Sequence, residues 1–259
     1  NFKKLRIKKL KTFKKFRFYK IDLRNRNSIF DFFLNKKFDY IVNLAAQAGV
    51  RFSQINPKKY IDTNVYGFLN LVDASLKNPP KLFVYASSSS IYGDAKKLPV
   101  KENTKLNPIN IYASSKKINE IIAKFYSSNF KINFLGLRFF TMYGEWGRPD
   151  MFLFKLFKSH HINKTFFLNN SGNHKRDFTY INDAVKMMDS IIFKKERKKI
   201  NDVYNICSNK PIKITKIINF FKKNIGKIKV KKINRNKLDV KDTHGNNFKI
   251  RKATKFKSF

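Results

Sequence analysis

The most constraining feature of this chain is the alternation of short apolar runs with longer amphipathic stretches. The apolar runs predict strands, at residues 16–21, 40–44, 82–86 and 131–139. The amphipathic stretches predict helices, at residues 27–34, 60–76 and 112–127. Strands that alternate with helices form a parallel sheet covered by helices, so the pattern predicts an α/β fold. With 259 residues, the chain is long enough for one large domain or for two lobes.

A tyrosine and a lysine lie four residues apart in the stretch IYASSK. Tyr112 and Lys116 would project from the same face of a helix. A neighbouring ammonium group favours an ionised phenol, so we expect Lys116 to lower the pKa of Tyr112 and make it a base. Four serines at residues 87–90 follow a predicted strand, and one hydroxyl there would complete a proton relay. With a nicotinamide alongside, these groups would remove a proton and a hydride from a secondary alcohol. A merely adjacent pair on a helix is the alternative.

Five ordered segments resemble one enzyme family. They read YIVNLAAQAGVRFSQINP at 40–57, FVYASSSSIYG at 83–93, IYASSKKINE at 111–120, LRFFTMYGEWGRPDMFLFK at 137–155 and HKRDFTYINDAV at 174–185. They resemble the extended short-chain dehydrogenase/reductases, and among these the NAD-dependent nucleotide-sugar epimerases and dehydratases. The UDP-glucuronate 4-epimerases are the most similar subgroup, and the similarity runs from about residue 16 to about residue 254.

The resemblance implies a doubly wound parallel, Rossmann-type sheet with a smaller C-terminal substrate lobe. The implied NAD-binding domain covers residues 1–144, with 175–208 returning to it, and the lobe covers 145–174 and 209–259. Family members begin with a strand, a glycine-rich turn and a helix that hold the NAD pyrophosphate, but no such turn occurs near the start of this sequence. We therefore expect an incomplete sequence or a decayed gene product that lacks the first two strands. A gap between the strands at 16–21 and 40–44 should result. The basic start, residues 3–20, predicts the outer face of a helix, with a basic arm as the alternative.

The resemblance also assigns roles to individual residues. Tyr112 would be the base, Lys116 would bind the nicotinamide ribose, and Ser88 would be the hydroxyl partner, with Ser89 as the alternative or a second participant. The implied NAD contacts are Asp22, Leu23, Leu44, Ala45, Ala46, Gln47, Asn64, Ala86, Ser87, Tyr112, Lys116 and Phe139, of which Phe139 could equally be a core residue and Asn64 would order the loop at 44–47. The implied substrate contacts are Arg51, Ser88, Thr141, Arg148 and Arg176, with Arg176 on the diphosphate.

The serine run favours epimerisation over elimination. Related sugar 4,6-dehydratases carry an acidic pair after the serine or threonine, and related decarboxylases carry a glutamate, whereas this chain has Ser89 and Ser90. We therefore expect a UDP-sugar 4-epimerase that converts UDP-glucuronate to UDP-galacturonate. The alternatives are an epimerase of UDP-glucose or UDP-N-acetylglucosamine, a dehydratase or decarboxylase, and a non-catalytic remnant. The resemblance further implies a homodimer through the helices at 60–76 and 112–127.

The net charge of +40 would by itself suit nucleic acid or an anionic membrane surface. The basic residues are spread along the chain instead of lying beside aromatic residues, so we expect no nucleic-acid binding. No run approaches the roughly 18 apolar residues of a membrane span. We expect a cytoplasmic protein with no membrane insertion and no metal site. The single cysteine, Cys207, excludes an internal disulfide and should be a packed thiol.

Overall fold

The main body of the protein is a four-stranded parallel sheet. The computed structural model describes residues 2–194, 201–254 and 256. The sheet has the order β1 (Tyr40–Asn43), β2 (Leu82–Ser88), β3 (Phe134–Phe139) and β7 (Asn201–Ile206), and all neighbouring pairs are parallel. The predicted α/β class with a parallel Rossmann-type sheet is confirmed.

Helices cover the sheet on both faces. One core contains buried residues of β2 and β3 together with α2 (Arg26–Leu34), α5 (Gly67–Ser75) and α6 (Ile111–Phe130). A second core joins the sheet to α8 (Ile181–Ile192) and α10 (Phe248–Thr254). Along β2, Phe83 and Tyr85 belong to the first core and Leu82 and Val84 to the second, so apolar side chains are buried on both faces of the sheet.

The predicted strand at residues 16–21 is wrong. This segment forms no ladder with any described strand, and Phe18 and Tyr19 are exposed. A strand is held by hydrogen bonds to a neighbouring strand, and no described strand lies beside this one. The expected gap inside the sheet is also wrong, because the four strands are contiguous and β1 forms one edge. Upstream, α1 (Phe2–Leu10) confirms the helix expected in the basic start.

The helix predicted at 60–76 is longer and contains a wider turn. It runs through α4 (Pro57–Tyr60), a π-helical segment (Ile61–Tyr66) and α5, and it follows the short helix α3 (Phe52–Ile55). Proline at the first position of α4 and the side chain of Asn56, which caps it, explain the earlier start. Likewise Asn110 caps α6 by accepting a hydrogen bond from the amide of Ala113 at 2.9 Å. The strand predicted at 131–139 begins only at Phe134, because Lys131 ends α6 in a left-handed conformation.

A smaller lobe lies beyond the sheet and has its own core. Its elements are β4 (Thr141–Tyr143), α7 (Phe152–His161), β5 (Phe166–Asn169), β6 (Lys175–Tyr180), β8 (Pro211–Lys213), α9 (Ile214–Asn224) and β9 (Val230–Ile233). They form a three-stranded sheet in the order β4-β6-β8 and a parallel pair, β5 and β9. Short 3-10 turns occupy Ser89–Tyr92 and Asn170–Gly172.

The C-terminal helix departs from the predicted division of the chain. α10 falls in the range assigned to the substrate lobe, yet Ile250 is buried in the core of the main sheet, next to β7 and α8. Apolar burial against the sheet is the physical reason. Of the predicted ranges, Asn1, 195–200, 255 and 257–259 lie outside the described residues. Cys207 is a buried free thiol, as expected.

Candidate active site

The candidate site lies where the parallel strands end. Ser88 is the last residue of β2, and Tyr112 and Lys116 lie on the first two turns of α6. The carboxyl ends of parallel strands carry the loops of an α/β fold, so side chains from several elements converge there. The structure therefore brings together the three residues that the sequence assigned to proton transfer.

The phenol of Tyr112 has its pKa raised by burial above the ordinary value for tyrosine. A hydrogen bond with the Ser88 side chain and the positive charge of Arg148 oppose that rise. The expectation that Lys116 lowers this pKa is wrong for this structure, because burial outweighs the favourable charges and the nearby cation is Arg148. The serine that interacts with the Tyr112 phenol is Ser88, whereas Ser89 lines a narrow cleft with Val240 and His244.

Lys116 is a buried cation at the base of the site, with 3% of its surface exposed. Its Nζ donates a hydrogen bond to the main-chain oxygen of Ala86 at 2.7 Å. Burial lowers the pKa of Lys116 to about 8, because a charged amine loses its hydration there. The ammonium is thus held at the strand end, directly before Ser87 and Ser88.

A loop after β1 borders the site and is fixed by side chains of the long helix. Asn64 accepts a hydrogen bond from the amide of Gln47 at 2.7 Å and donates to the carbonyl of Gln47 at 3.0 Å. Tyr60 donates to the carbonyl oxygens of Ala48 and Gly49 at 3.0 and 2.6 Å. The ordering of this loop by Asn64 is therefore as expected, and the role of Tyr60 was missed. Leu44, Ala45 and Ala46 lie between this loop clamp and β1 in the chain; Leu44 and Ala45 are exposed, and Ala46 is half-buried.

Asn64 also connects the loop to α6. Its Nδ2 donates to Ser115 Oγ at 3.0 Å, and Ser115 donates to the carbonyl oxygen of Tyr112 at 2.8 Å. The rings of Tyr60 and Tyr112 lie edge to face, with centroids 6.3 Å apart. The loop, the π-helical segment and the first turn of α6 therefore form one hydrogen-bonded unit.

The side chain of Ser87, a predicted cofactor contact, is bonded within the protein. Ser87 is buried, and its hydroxyl donates to Glu120 Oε1 at 2.6 Å. Glu120 in turn receives hydrogen bonds from Nε and Nη2 of Arg138 at 2.9 and 2.8 Å. Sequence reasoning missed Glu120 and Arg138; the only available signal was the placement of Glu120 four residues after Lys116, on the same helical stripe.

The predicted substrate-binding arginines contact acidic side chains and carbonyl groups near the lobe. Arg51 pairs with Asp239 at 2.8 Å, and Arg176 donates to the carbonyl oxygens of Val240 and Lys241 at 2.7 and 2.5 Å. Arg148 forms a two-point ion pair with Asp150. Of these three arginines, the one whose charge acts on Tyr112 is Arg148.

The remaining predicted contacts lie around this centre. Thr141 opens β4, and Phe139 ends β3 and packs against the second core of the sheet. Asp22 is exposed and paired with Arg24, which lowers the pKa of that carboxyl to about 2. Leu23 packs against the α5 side of the sheet, and its carbonyl oxygen accepts a hydrogen bond from Asn70 at 2.9 Å.

The described residues contain no cluster of histidine, cysteine or carboxylate side chains that could hold a metal ion. In the same part of the chain, no helix is both long and apolar enough to cross a membrane.

Tyr112 contacts Ser88, and the buried Lys116 lies one helical turn away at the end of the parallel sheet. These groups can exchange a proton with a bound hydroxyl. The particular family follows from comparison with known proteins. The NAD dependent epimerase/dehydratase family matches residues 2–207, and the chain belongs to this family.

Individual relatives show the same likeness. An uncharacterized protein of Methanocaldococcus jannaschii, MJ1055, is 39% identical over 86% of this chain and 68% of its own length. UDP-glucuronate 4-epimerase 5 of Arabidopsis thaliana is 39% identical over 81% of this chain, which spans 52% of the plant protein. A crystal structure of UDP-glucuronic acid 4-epimerase from Bacillus cereus, in complex with UDP-glucuronic acid and NAD, superimposes with a TM-score of 0.93 at 26% identity, covering all of this chain and 81% of that one.

Proposed function

We propose that the protein catalyses NAD-dependent epimerisation at C4 of a UDP-sugar, converting UDP-glucuronate to UDP-galacturonate. The observation that carries the proposal is the meeting of Tyr112, Ser88 and Arg148 at the end of β2, above the buried ammonium of Lys116. The relatives named as UDP-glucuronate 4-epimerases support the substrate class.

The residues suit the nicotinamide half of NAD. A buried ammonium and a phenol at one strand end match a ribose hydroxyl, and the loop fixed by Asn64 and Tyr60 offers an ordered wall. We propose Lys116 for the ribose, residues 44–47 for the dinucleotide and Asp22 with Leu23 for the adenosine end. The chemistry that NAD supplies when bound is reversible acceptance of the C4 hydride. No glycine-rich turn that opens a helix is present among the described residues, so the pyrophosphate contacts are not assigned.

In the proposed reaction, Tyr112 accepts the proton of the 4-hydroxyl while the C4 hydride leaves, and Ser88 orients that hydroxyl. The 4-keto sugar then presents its other face, and Tyr112 returns the proton as the hydride is added back. The nearby Arg148 favours the phenolate form of Tyr112, because opposite charges attract. The proton and the hydride that leave the sugar in the first half of the cycle both return in the second half, so no co-substrate is consumed.

The substrate carboxylate needs its own partner. The 4-keto intermediate of a hexuronate is a β-keto acid, which loses CO₂ when its carboxylate turns perpendicular to the ring carbonyl. We propose that Arg148 and Thr141 hold the carboxylate, and that Arg51 and Arg176 receive the diphosphate, since a guanidinium fork pairs well with either group.

The test is product analysis with the purified chain. We expect NAD⁺ and UDP-glucuronate to yield UDP-galacturonate, with much slower conversion of UDP-glucose. Arg148→Ala should slow epimerisation by about tenfold or more, or release UDP-pentose, whereas Arg26→Ala, at a surface arginine paired with Asp73, is the matched control. Absence of any conversion by the unaltered chain would refute the proposed function, and unchanged rate and products in Arg148→Ala would refute the carboxylate assignment.

We further propose a homodimer through the long helix and α6. Tyr66, Ile121 and Phe125 lie on these elements and are 58%, 58% and 55% exposed. Clusters of exposed large apolar side chains on adjoining helices mark interaction surfaces. In analytical ultracentrifugation, Phe125→Glu should lower the molecular mass from that of a dimer to that of a monomer. An unaltered chain that sediments as a monomer would contradict the dimer.

A further inference from the structure

Three successive residues at the end of β2 are each attached to α6. Ala86 accepts a hydrogen bond from Lys116 at 2.7 Å, Ser87 donates to Glu120 at 2.6 Å, and Ser88 contacts Tyr112. The three helix residues are spaced by four and therefore form one stripe along α6. At 1.5 Å per residue, that stripe spans about 12 Å. The strand end is thus joined to the helix along two full turns.

Of these three contacts, the one between Ser87 and Glu120 continues into a buried ion pair. Arg138 is 4% and Glu120 is 11% exposed at their side chains, and they form a two-point ion pair. Nη1 of Arg138 also donates to Tyr92 Oη at 2.8 Å and to the carbonyl oxygen of Glu102 at 2.7 Å. Tyr92 itself donates to Asn205 at 2.7 Å.

This network ties α6 to three strands. Arg138 lies in β3 and pairs with Glu120 of α6, Ser87 lies in β2, and Asn205 lies in β7. The side chain of Glu120 therefore has a fixed position relative to the sheet. Because Glu120 shares a rigid helix with Tyr112 and Lys116, its position also sets theirs.

We infer that Glu120, acting through its hydrogen bond with Ser87, is a positioning residue for the proposed proton transfer. Its carboxylate is bonded to Ser87 and Arg138, so it would act on the Tyr112 phenol only indirectly. It fixes the axial position and the rotation of α6 relative to β2, so that Tyr112 contacts Ser88 and Lys116 contacts Ala86. The inference rests on the proposed function for its catalytic consequence, but the geometric claim stands by itself.

The test removes the Ser87 hydroxyl and leaves the buried ion pair intact. In Ser87→Ala the Glu120–Arg138 contacts remain, so the fold should persist. Ser87→Thr restores a hydroxyl and is the conservative rescue. Ser75→Ala is the matched control, because Ser75 is also buried and donates to a carbonyl, that of Val72, away from the site.

Two readouts are measured on the full chain. The first is hydrogen–deuterium exchange of the peptide covering residues 111–120, which should exchange faster in Ser87→Ala and revert in Ser87→Thr. The second is turnover of UDP-glucuronate, with kcat expected to fall about tenfold and KM to change less than about twofold, since a misplacement of about 1 Å can cost up to about a hundredfold in rate. A merely structural role would lower thermal stability without changing kcat per folded enzyme.

The outcomes separate the two claims. If exchange at 111–120 in Ser87→Ala equals that in Ser75→Ala, the positioning role is overturned. If exchange rises while kcat is unchanged, the catalytic consequence is overturned. If the unaltered chain turns over no UDP-sugar, the proposed function fails, and the exchange measurement alone decides the positioning claim.

Discussion

Removal of the Glu120 carboxylate alone should lower the free energy of unfolding far more than replacement of both members of the Glu120–Arg138 ion pair. In Glu120→Ala, the guanidinium of Arg138 stays buried and loses both hydrogen bonds to Glu120, while Ser87 loses its acceptor. A buried charge left without its partner costs about 3–5 kcal/mol. With a urea slope of roughly 3 kcal/mol per molar for a chain of this size, the unfolding midpoint should fall by about 1–1.7 M.

The matched variant exchanges both partners for apolar side chains. Glu120→Leu with Arg138→Met keeps comparable volume and removes both charges, so it should recover most of the loss, because paired buried charges gain little over apolar packing. Urea unfolding followed by far-ultraviolet circular dichroism measures all three proteins. A loss below about 1 kcal/mol in Glu120→Ala, or a double variant less stable than the single one, would refute the reasoning.

Three further predictions concern pH, packing and the loop. The pKa of Lys116 is about 8 in the folded protein, below its ordinary value, so the unfolded chain binds more protons between pH 8 and 10.5. The contribution of Lys116 to the free energy of unfolding should therefore rise with pH across that window. Lys116→Met should flatten that part of the stability profile, and parallel profiles of the two proteins would contradict the buried charge. A Cβ at Gly136 would lie 2.7 Å from Tyr85 Oη and 2.8 Å from Val203 Cγ1, so Gly136→Ala should cost about 1–3 kcal/mol of unfolding free energy, and an unchanged Tm would count against it. Asn64→Ala removes both contacts to Gln47 and should weaken NAD binding roughly thirtyfold by calorimetry, because each of the two lost hydrogen bonds contributes about 1 kcal/mol. Unchanged affinity would separate the loop from the cofactor.

The sequence could predict the relative placement of the candidate site residues because that placement is local. Tyr112 and Lys116 are one helical turn apart whatever the rest of the chain does. Ser88 follows a buried strand, and strand ends of a parallel sheet share one edge, so its proximity to the first turn of the next helix could be expected. Burial was not predictable in the same way, which is why the direction of the pKa change at Tyr112 was predicted incorrectly.

The segment at residues 16–21 shows the corresponding limit for the fold. Its apolar pattern is typical of a strand, but a ladder needs a partner with free amide and carbonyl groups. The pattern of one segment carries no record of whether such a partner exists. The same holds for α10, whose composition does not state which of two cores receives Ile250.

By itself, the sequence determined the parallel α/β architecture, the helical Tyr112–Lys116 pair and the serine at the end of β2. These follow from hydrophobic periodicity and from spacing, which act over a few residues. Only the tertiary structure decided that Ser87 donates a hydrogen bond to Glu120 and that Arg138 pairs with the same carboxylate. It also decided that Arg148, not Lys116, is the cation whose charge favours ionisation of Tyr112. Those contacts join residues 18 to 36 positions apart, and they depend on how helices and strands pack, because burial and distance set the strength of each charge interaction.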